Sequence, residues 1–181
     1  MALSRPFMIK RLIFSLISAL FIGLGLAILM GAGLPNRAEF TGYRLPNSAR
    51  AIAPEINSLA PPFDPLTHYQ GKPIILNFWA TWCEPCLAEM PDLQRLYDEF
   101  SESGLIVLGI NLNESQRAID DWREKLGLTF PMSLDNGTVA GLYRLRTQPT
   151  TFIISPEGVI THIFHGTIRP DQVRGAIAPF F

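Results

Sequence analysis

An α/β fold is predicted for the C-terminal part of this chain by three observations. An apolar run of strand length, residues 74–79, leads directly into an amphipathic helix over residues 84–101. A second apolar strand, residues 105–112, is followed by another helix that ends at about Leu126. Two later strands are joined by the turn Pro156-Glu157-Gly158 and form an antiparallel hairpin. Strands that alternate with helices indicate a sheet whose faces are covered by helices.

A membrane anchor is predicted near the N-terminus. Residues 12–34 are 23 consecutive residues without a charge, enough to cross a hydrocarbon core of about 30 Å as a helix. The run exceeds the apolar region of a signal peptide, about 7–15 residues, so an anchor is favoured over a cleaved signal. Arg5, Lys10 and Arg11 precede the span, which predicts a cytoplasmic N-terminus and an extracytoplasmic main domain.

Four segments are therefore expected along the chain. They are a cytoplasmic N-terminus (1–11), the transmembrane anchor (12–34), a proline-containing linker and lead-in (35–69) and one globular domain (70–181). The formal net charge is −1 and no basic run occurs, so neither nucleic-acid binding nor broad electrostatic attachment to lipid is expected.

The two cysteines, Cys83 and Cys86, form a C-x-x-C motif at the start of the first long helix. Unpaired backbone N–H groups and the helix dipole favour a thiolate at this position, and C-x-x-C cysteines have pKa values of about 3.5 to 7.5. Cys83 is the predicted nucleophile. Cys86, one turn further into the helix, is the predicted resolving thiol.

Two other uses of the cysteine pair are disfavoured. A structural disulfide between positions i and i+3 removes little chain entropy. A zinc site normally needs four ligands, whereas the chain has two cysteines and only three scattered histidines. Redox chemistry is therefore expected at the Cys83–Cys86 pair, with no bound metal and no separate cofactor.

The motifs around the cysteines resemble one family. Residues 77–86 read NFWATWCEPC and are followed by Glu89 and Pro91, and residues 148–152 read QPTTF. This pattern resembles the membrane-anchored extracytoplasmic thioredoxins of the ResA, TlpA and CcmG (DsbE) type, most closely ResA, over residues 73–178. The resemblance implies a thioredoxin-like fold, a central mixed sheet flanked by helices and carrying a central insertion, and thiol:disulfide oxidoreductase activity.

The resemblance also assigns roles at the site. Cytoplasmic thioredoxins have a proton-transferring aspartate at the position of Asn77, which cannot act as a base. From position alone, Glu89 is either a functional acid/base or a solvated helix residue, and the resemblance assigns it acid/base chemistry at Cys86. The resemblance makes Pro149 the cis-proline that positions substrate, and the backbone of Gln148 is expected to pair with an extended substrate peptide.

Three residues beside the cysteines are expected to tune reactivity or face a partner. Trp82 is assigned to the partner-facing surface. Glu84 opposes thiolate formation at Cys83 while the helix dipole favours it, so the direction of its effect on the redox potential stays open. Pro85 fixes a backbone angle that suits the first helical turn.

The remaining elements follow from local patterns. Asn113 and Gln116 stand at capping-box spacing and predict the start of the second helix. A short strand is expected over 130–134 and a short helix over 139–145. The hairpin strands are expected over 151–155 and 159–165. The second of them carries His162 and His165, to which an edge or packing role is assigned. Pro170 begins the last helix.

The resemblance implies a reductase outside the cytoplasmic membrane. Its substrate is expected to be the haem-binding C-x-x-C-H disulfide of apocytochrome c, or another extracytoplasmic disulfide protein. Its electrons are expected from a transmembrane thiol carrier of the CcdA or DsbD kind. Two alternatives stay open: a TlpA-like reductase for copper-site assembly of cytochrome oxidase, and a non-enzymatic module whose thiols bind a soft metal.

Overall fold

The computed structural model describes residues 14–23 and 50–181. Residues 14–23 are helical and lie in one compact unit, Met1–Leu45, whereas Pro46–Phe181 form a second unit. The rest of the predicted anchor, residues 12–13 and 24–34, lies outside the described residues, as do the predicted cytoplasmic segment and residues 35–49 of the linker. Within the described parts of the chain, no helix combines the length and the apolar character that crossing a membrane requires.

The second unit is built on a five-stranded mixed sheet with the order β3-β2-β1-β4-β5. Strand β1 runs parallel to β2 and antiparallel to β4, and β5 forms one edge. The strands are β1 (Ile74–Trp79), β2 (Ile106–Leu112), β3 (Met132–Asp135), β4 (Thr150–Ile154) and β5 (Ile160–His165). The predicted α/β class, the central mixed sheet and the C-terminal hairpin are all confirmed.

Four α-helices connect or follow these strands. They are α1 (Glu84–Phe100), α2 (Gln116–Leu126), α3 (Thr138–Leu142) and α4 (Pro170–Ile177). Each of the four lies within a few residues of a helix that the sequence predicted, and α1 continues through Pro91.

The central strand β1 divides the hydrophobic core into two clusters. Successive side chains of a strand point to opposite faces of the sheet. Ile75 and Trp79 accordingly join the cluster that contains the cysteines and the apolar side chains of α1, whereas Leu76 and Phe78 join the second cluster. All six residues of β1 are buried, which explains why its sequence is apolar on both faces.

The start of α2 corrects one prediction. The N-cap is Ser115, whose hydroxyl oxygen accepts a hydrogen bond from the backbone N–H of Ala118 at 3.2 Å. Asn113, the predicted cap, instead has a φ of 56° and lies in the left-handed region, which asparagine tolerates better than most residues. The neighbouring strand is also displaced: β3 begins at Met132 rather than at residue 130.

Candidate active site

The cysteine pair lies where β1 leads into α1. Cys83 is the N-cap of α1, and its sulfur accepts a hydrogen bond from the backbone N–H of Cys86 at 3.3 Å. The two residues form a disulfide, with Cys83 6% exposed and Cys86 fully buried. This difference makes Cys83 the sulfur that a partner can reach, and the backbone N–H near it favours its thiolate after reduction.

The predicted neighbours surround this exposed sulfur. Trp82 is 66% exposed, so its large apolar ring is available to a partner protein. Glu84 and Pro85 occupy the first turn of α1 with exposed side chains. The structure therefore places these three residues on one short surface segment beside Cys83.

Pro149 lies at the same end of the sheet as the cysteines. The Gln148–Pro149 peptide bond is cis, as predicted. Because β4 is antiparallel to β1, Thr150 at the start of β4 pairs with Phe78 near the end of β1. The carbonyl of Pro149 accepts a hydrogen bond from Gly166 N–H at 2.9 Å, which ties this loop to the end of β5.

Glu89 is fully buried below the cysteines, one turn after Cys86 on α1, so the solvated reading of this residue is wrong. Its Oε1 accepts a hydrogen bond from Asn77 Nδ2 at 2.7 Å, and its Oε2 accepts one from the backbone N–H of Ile168 at 2.8 Å. Burial raises the pKa of the Glu89 carboxyl to about 7, although the two hydrogen bonds act in the opposite direction. A carboxyl group with this pKa can accept and donate a proton near neutral pH.

Asn77 and Thr151 hold Glu89 in place, a function that the sequence did not reveal. The Asn77 amide nitrogen donates to Glu89 and, at 2.9 Å, to the hydroxyl oxygen of Thr151 on β4. The amide oxygen of Asn77 is buried and has no hydrogen-bond partner among the described residues. A buried polar side chain inside an apolar strand was the available signal, but its partner lies 74 residues away along the chain.

A second polar cluster fixes the turn just before Cys83. The Glu114 carboxylate accepts hydrogen bonds from Thr81 N–H at 2.7 Å, from the Thr81 hydroxyl and from Asn111 Nδ2 at 2.6 Å. Glu114 follows β2, so this contact links the end of β2 to the cysteine-bearing turn. Sequence reasoning assigned residues 113–116 only to a helix start and missed this function.

The described residues contain no group of three or more histidine, cysteine or acidic side chains arranged to bind a metal. His162 and His165 lie exposed on the edge strand β5.

Comparisons with known proteins agree with this geometry. The model of the AhpC/TSA family matches residues 65–163. A relative from Oceanobacillus iheyensis, named thiol-disulfide oxidoreductase ResA, is 41% identical over 61% of this chain, and the match spans 58% of that protein's length. The match therefore spans less than two thirds of that relative's length.

Two solved structures resemble this chain over a larger share of their own length. StoA from Bacillus subtilis is 31% identical with a TM-score of 0.54, covering 59% of this chain and 83% of that chain. A thiol:disulfide interchange protein of the thioredoxin family from Chlorobium tepidum TLS has a TM-score of 0.61 at 22% identity, covering 72% and 96% of the two chains. The second likeness shows the fold alone, which is thioredoxin-like.

Proposed function

The chain belongs to the AhpC/TSA family, and from that membership and the cysteine geometry we propose that it is a thiol:disulfide oxidoreductase that acts mainly as a reductase. The observation that carries the proposal is the pair formed by a reachable Cys83 and a buried Cys86 above the buried carboxyl group of Glu89. The name of the Oceanobacillus relative supports the same reaction class.

The proposed reaction transfers two electrons to a substrate disulfide. The Cys83 thiolate attacks one substrate sulfur, forms a mixed disulfide and displaces the other substrate sulfur as a thiolate. Cys86 then loses its proton and attacks the Cys83 sulfur, which releases the second substrate thiolate. The substrate leaves as a dithiol and the protein retains the Cys83–Cys86 disulfide, so the reaction needs no cofactor beyond this pair.

Glu89 is the proposed acid/base of the second step. Cys86 is fully buried, and its proton needs an acceptor inside the protein. Glu89 lies one helical turn away, and its pKa of about 7 leaves a substantial fraction ionised at neutral pH. Pro149 and the backbone of Gln148 are proposed to align an extended substrate segment across Cys83, with Trp82 contacting the same partner.

We further propose an extracytoplasmic location and a physiological substrate. The uncharged run at residues 12–34 supports a single-pass anchor in the cytoplasmic membrane, with the catalytic domain outside. The resemblance to ResA and CcmG supports the C-x-x-C-H disulfide of apocytochrome c as substrate and a transmembrane thiol carrier of the CcdA or DsbD kind as electron donor.

Trapping of the mixed disulfide tests the proposed substrate. Cys86→Ala leaves Cys83 able to attack but unable to release its partner, so the full chain expressed in its host should retain apocytochrome c through a bond that dithiothreitol cleaves. Cys83→Ala is the matched control and should retain nothing. Recovery of a copper-site oxidase subunit in place of apocytochrome c would overturn the proposed substrate.

The equilibrium reduction potential tests the proposed direction. A value for the Cys83–Cys86 pair near or below that of thioredoxin, about −270 mV, is expected of a reductase. A value near that of DsbA, about −120 mV, would make the protein a disulfide donor.

A further inference from the structure

A cavity of about 320 Å³ lies beside the start of β4, on the face of the sheet opposite Glu89. Thr150 and His165, which pair across β4 and β5, both line this cavity. Successive strand residues point to opposite faces, so Thr151 faces Asn77, which contacts Glu89, while Thr150 faces the cavity. Because Thr150 directly follows Pro149, the cavity adjoins the loop to which substrate alignment is assigned above.

The lining of this cavity has an excess of positive charge. Arg144 and Arg146 both line it, and Glu55 is the only acidic residue that lines it within the described part of the chain. Glu55 is 3.1 Å from Arg144 and so compensates that guanidinium group. Arg146, by contrast, forms no ion pair with any carboxylate of the described residues, since none lies within 4.0 Å of it.

The other polar side chains of the cavity do not neutralise Arg146. The Tyr143 hydroxyl donates to the carbonyl of Pro61 at 2.9 Å, and the Thr150 hydroxyl donates to the carbonyl of Thr147 at 2.8 Å. The Nδ1 atom of His165 lies 3.4 Å from the Thr150 oxygen, which leaves its Nε2 atom available to a ligand. A guanidinium group that has no ion-pair partner among residues 14–23 and 50–181, in the same cavity as an accessible imidazole, is suited to a carboxylate, which Arg binds in a two-pronged geometry.

We propose that this cavity is an anion subsite that binds a carboxylate side chain of the substrate polypeptide, with Arg146 as its main ligand and His165 beside it. The proposal rests on the proposed oxidoreductase function. A substrate segment paired antiparallel to Gln148 continues toward Arg146, two residues earlier in the chain, at about 3.4 Å per residue. The carboxylate therefore belongs two or three residues after the substrate cysteine that Cys83 attacks.

Two matched peptides test the subsite. Each carries one cysteine in a disulfide with thionitrobenzoate, and they differ only in glutamate or glutamine at the second and third positions after that cysteine. Cys83 of the reduced full chain attacks the peptide sulfur and releases coloured thionitrobenzoate thiolate. We expect the glutamate peptide to react about three- to fivefold faster, the ratio that an exposed ion pair of up to about 1 kcal/mol gives.

Arg146→Gln should reduce this ratio to about one. Arg117→Gln is the control, because Arg117 is an exposed residue of α2 that does not line the cavity, and it should preserve the ratio. Equal rates for the two peptides with the unmodified chain, or an unchanged ratio in Arg146→Gln, would overturn the proposal.

A binding measurement tests the subsite independently of the oxidoreductase activity. Failure of both peptides to react would count against the oxidoreductase function alone. A titration of the oxidised chain with the same two sequences, carrying serine in place of cysteine, still decides the subsite. Tighter binding of the glutamate peptide that Arg146→Gln abolishes supports it, and equal binding of the two peptides overturns it.

Discussion

Glu89 is the residue whose chemistry depends most on its surroundings. Only the ionised carboxylate can accept the Cys86 proton, so the resolving step should accelerate as the pH rises through about 7. Glu89→Gln should slow this step by about 100-fold and remove the pH dependence centred near 7. Stopped-flow measurement of substrate release between about pH 5.5 and 8.5 checks this expectation.

The matched control is Glu84→Gln, which removes an exposed carboxylate from the first turn of the same helix. It should retain the transition near pH 7. A profile for Glu89→Gln that coincides with that of the unmodified chain would remove Glu89 from the mechanism.

Asn77 should act on catalysis through Glu89. Its amide donates to Oε1 of Glu89 and thereby lowers the pKa of that carboxyl group, in opposition to burial. Asn77→Ala should therefore move the midpoint of the pH–rate profile upward. Thr151→Val removes only the second hydrogen bond of Asn77, so its midpoint should move less. A midpoint that stays in place in Asn77→Ala would limit Asn77 to a packing role.

At the scale of elements, Glu114 connects the end of β2 to the turn between β1 and α1. Glu114→Ala leaves the Thr81 N–H and the Asn111 amide without their acceptor and should lower the free energy of unfolding by about 1–3 kcal/mol. The backbone amides of residues 81–83 should also exchange hydrogen faster. Urea denaturation and hydrogen exchange measure the two effects.

Glu124→Ala provides the comparison for this prediction, because Glu124 is exposed on α2. It should change stability by less than about 0.5 kcal/mol. Unchanged exchange at residues 81–83 in Glu114→Ala would show that the turn is held by its other contacts.

The elements were predictable from sequence where the signal is local. The apolar run of β1, the amphipathic stripe of α1 and the turn of the hairpin each report on their own segment, and each was placed within a residue or two. The start of α2 was misplaced because two cap-forming residues, Asn113 and Ser115, stand close together. Only the backbone conformation decides between them.

The partners of the site residues could not be predicted in the same way. Glu114 contacts Thr81 across 33 residues, and Glu89 accepts from Ile168 across 79 residues. Such contacts depend on the order of strands in the sheet, and no local periodicity encodes them. The cysteines and Pro149 were found because their motifs are distinctive. Thr151 lies in the same motif as Pro149, but the motif does not reveal its contact with Asn77, and Glu114 belongs to no comparable motif.

For the molecule as a whole, the buried Glu89 couples stability to pH. Its carboxyl group binds a proton more tightly in the folded protein, where its pKa is about 7, than in the unfolded chain, where it has the ordinary glutamate pKa of about 4.5. The stabilisation is therefore complete below about pH 4.5 and is lost as the pH rises to about 7, by about 3 kcal/mol. Glu89→Gln should lack this loss.

Denaturation of the oxidised protein and of Glu89→Gln at about pH 4.5, 6 and 8 measures the effect. The difference in unfolding free energy between the two proteins should change in favour of Glu89→Gln as the pH rises. A difference that is constant with pH would mean that Glu89 titrates alike in the folded and unfolded chains.

The sheet order has a consequence for how the site can be divided. Strands β3, β2 and β1 are neighbours in the sheet and all precede residue 136 in the chain, whereas β4 and β5 follow it. The boundary between β1 and β4 therefore separates the thiols from the proline loop. If the chain were divided at the exposed Asn136, one polypeptide would carry β1, β2, β3 and the cysteines, and the other would carry β4, β5 and Pro149. Recovered thiol exchange on mixing them would then report their association, which makes this domain a candidate split reporter for oxidising compartments.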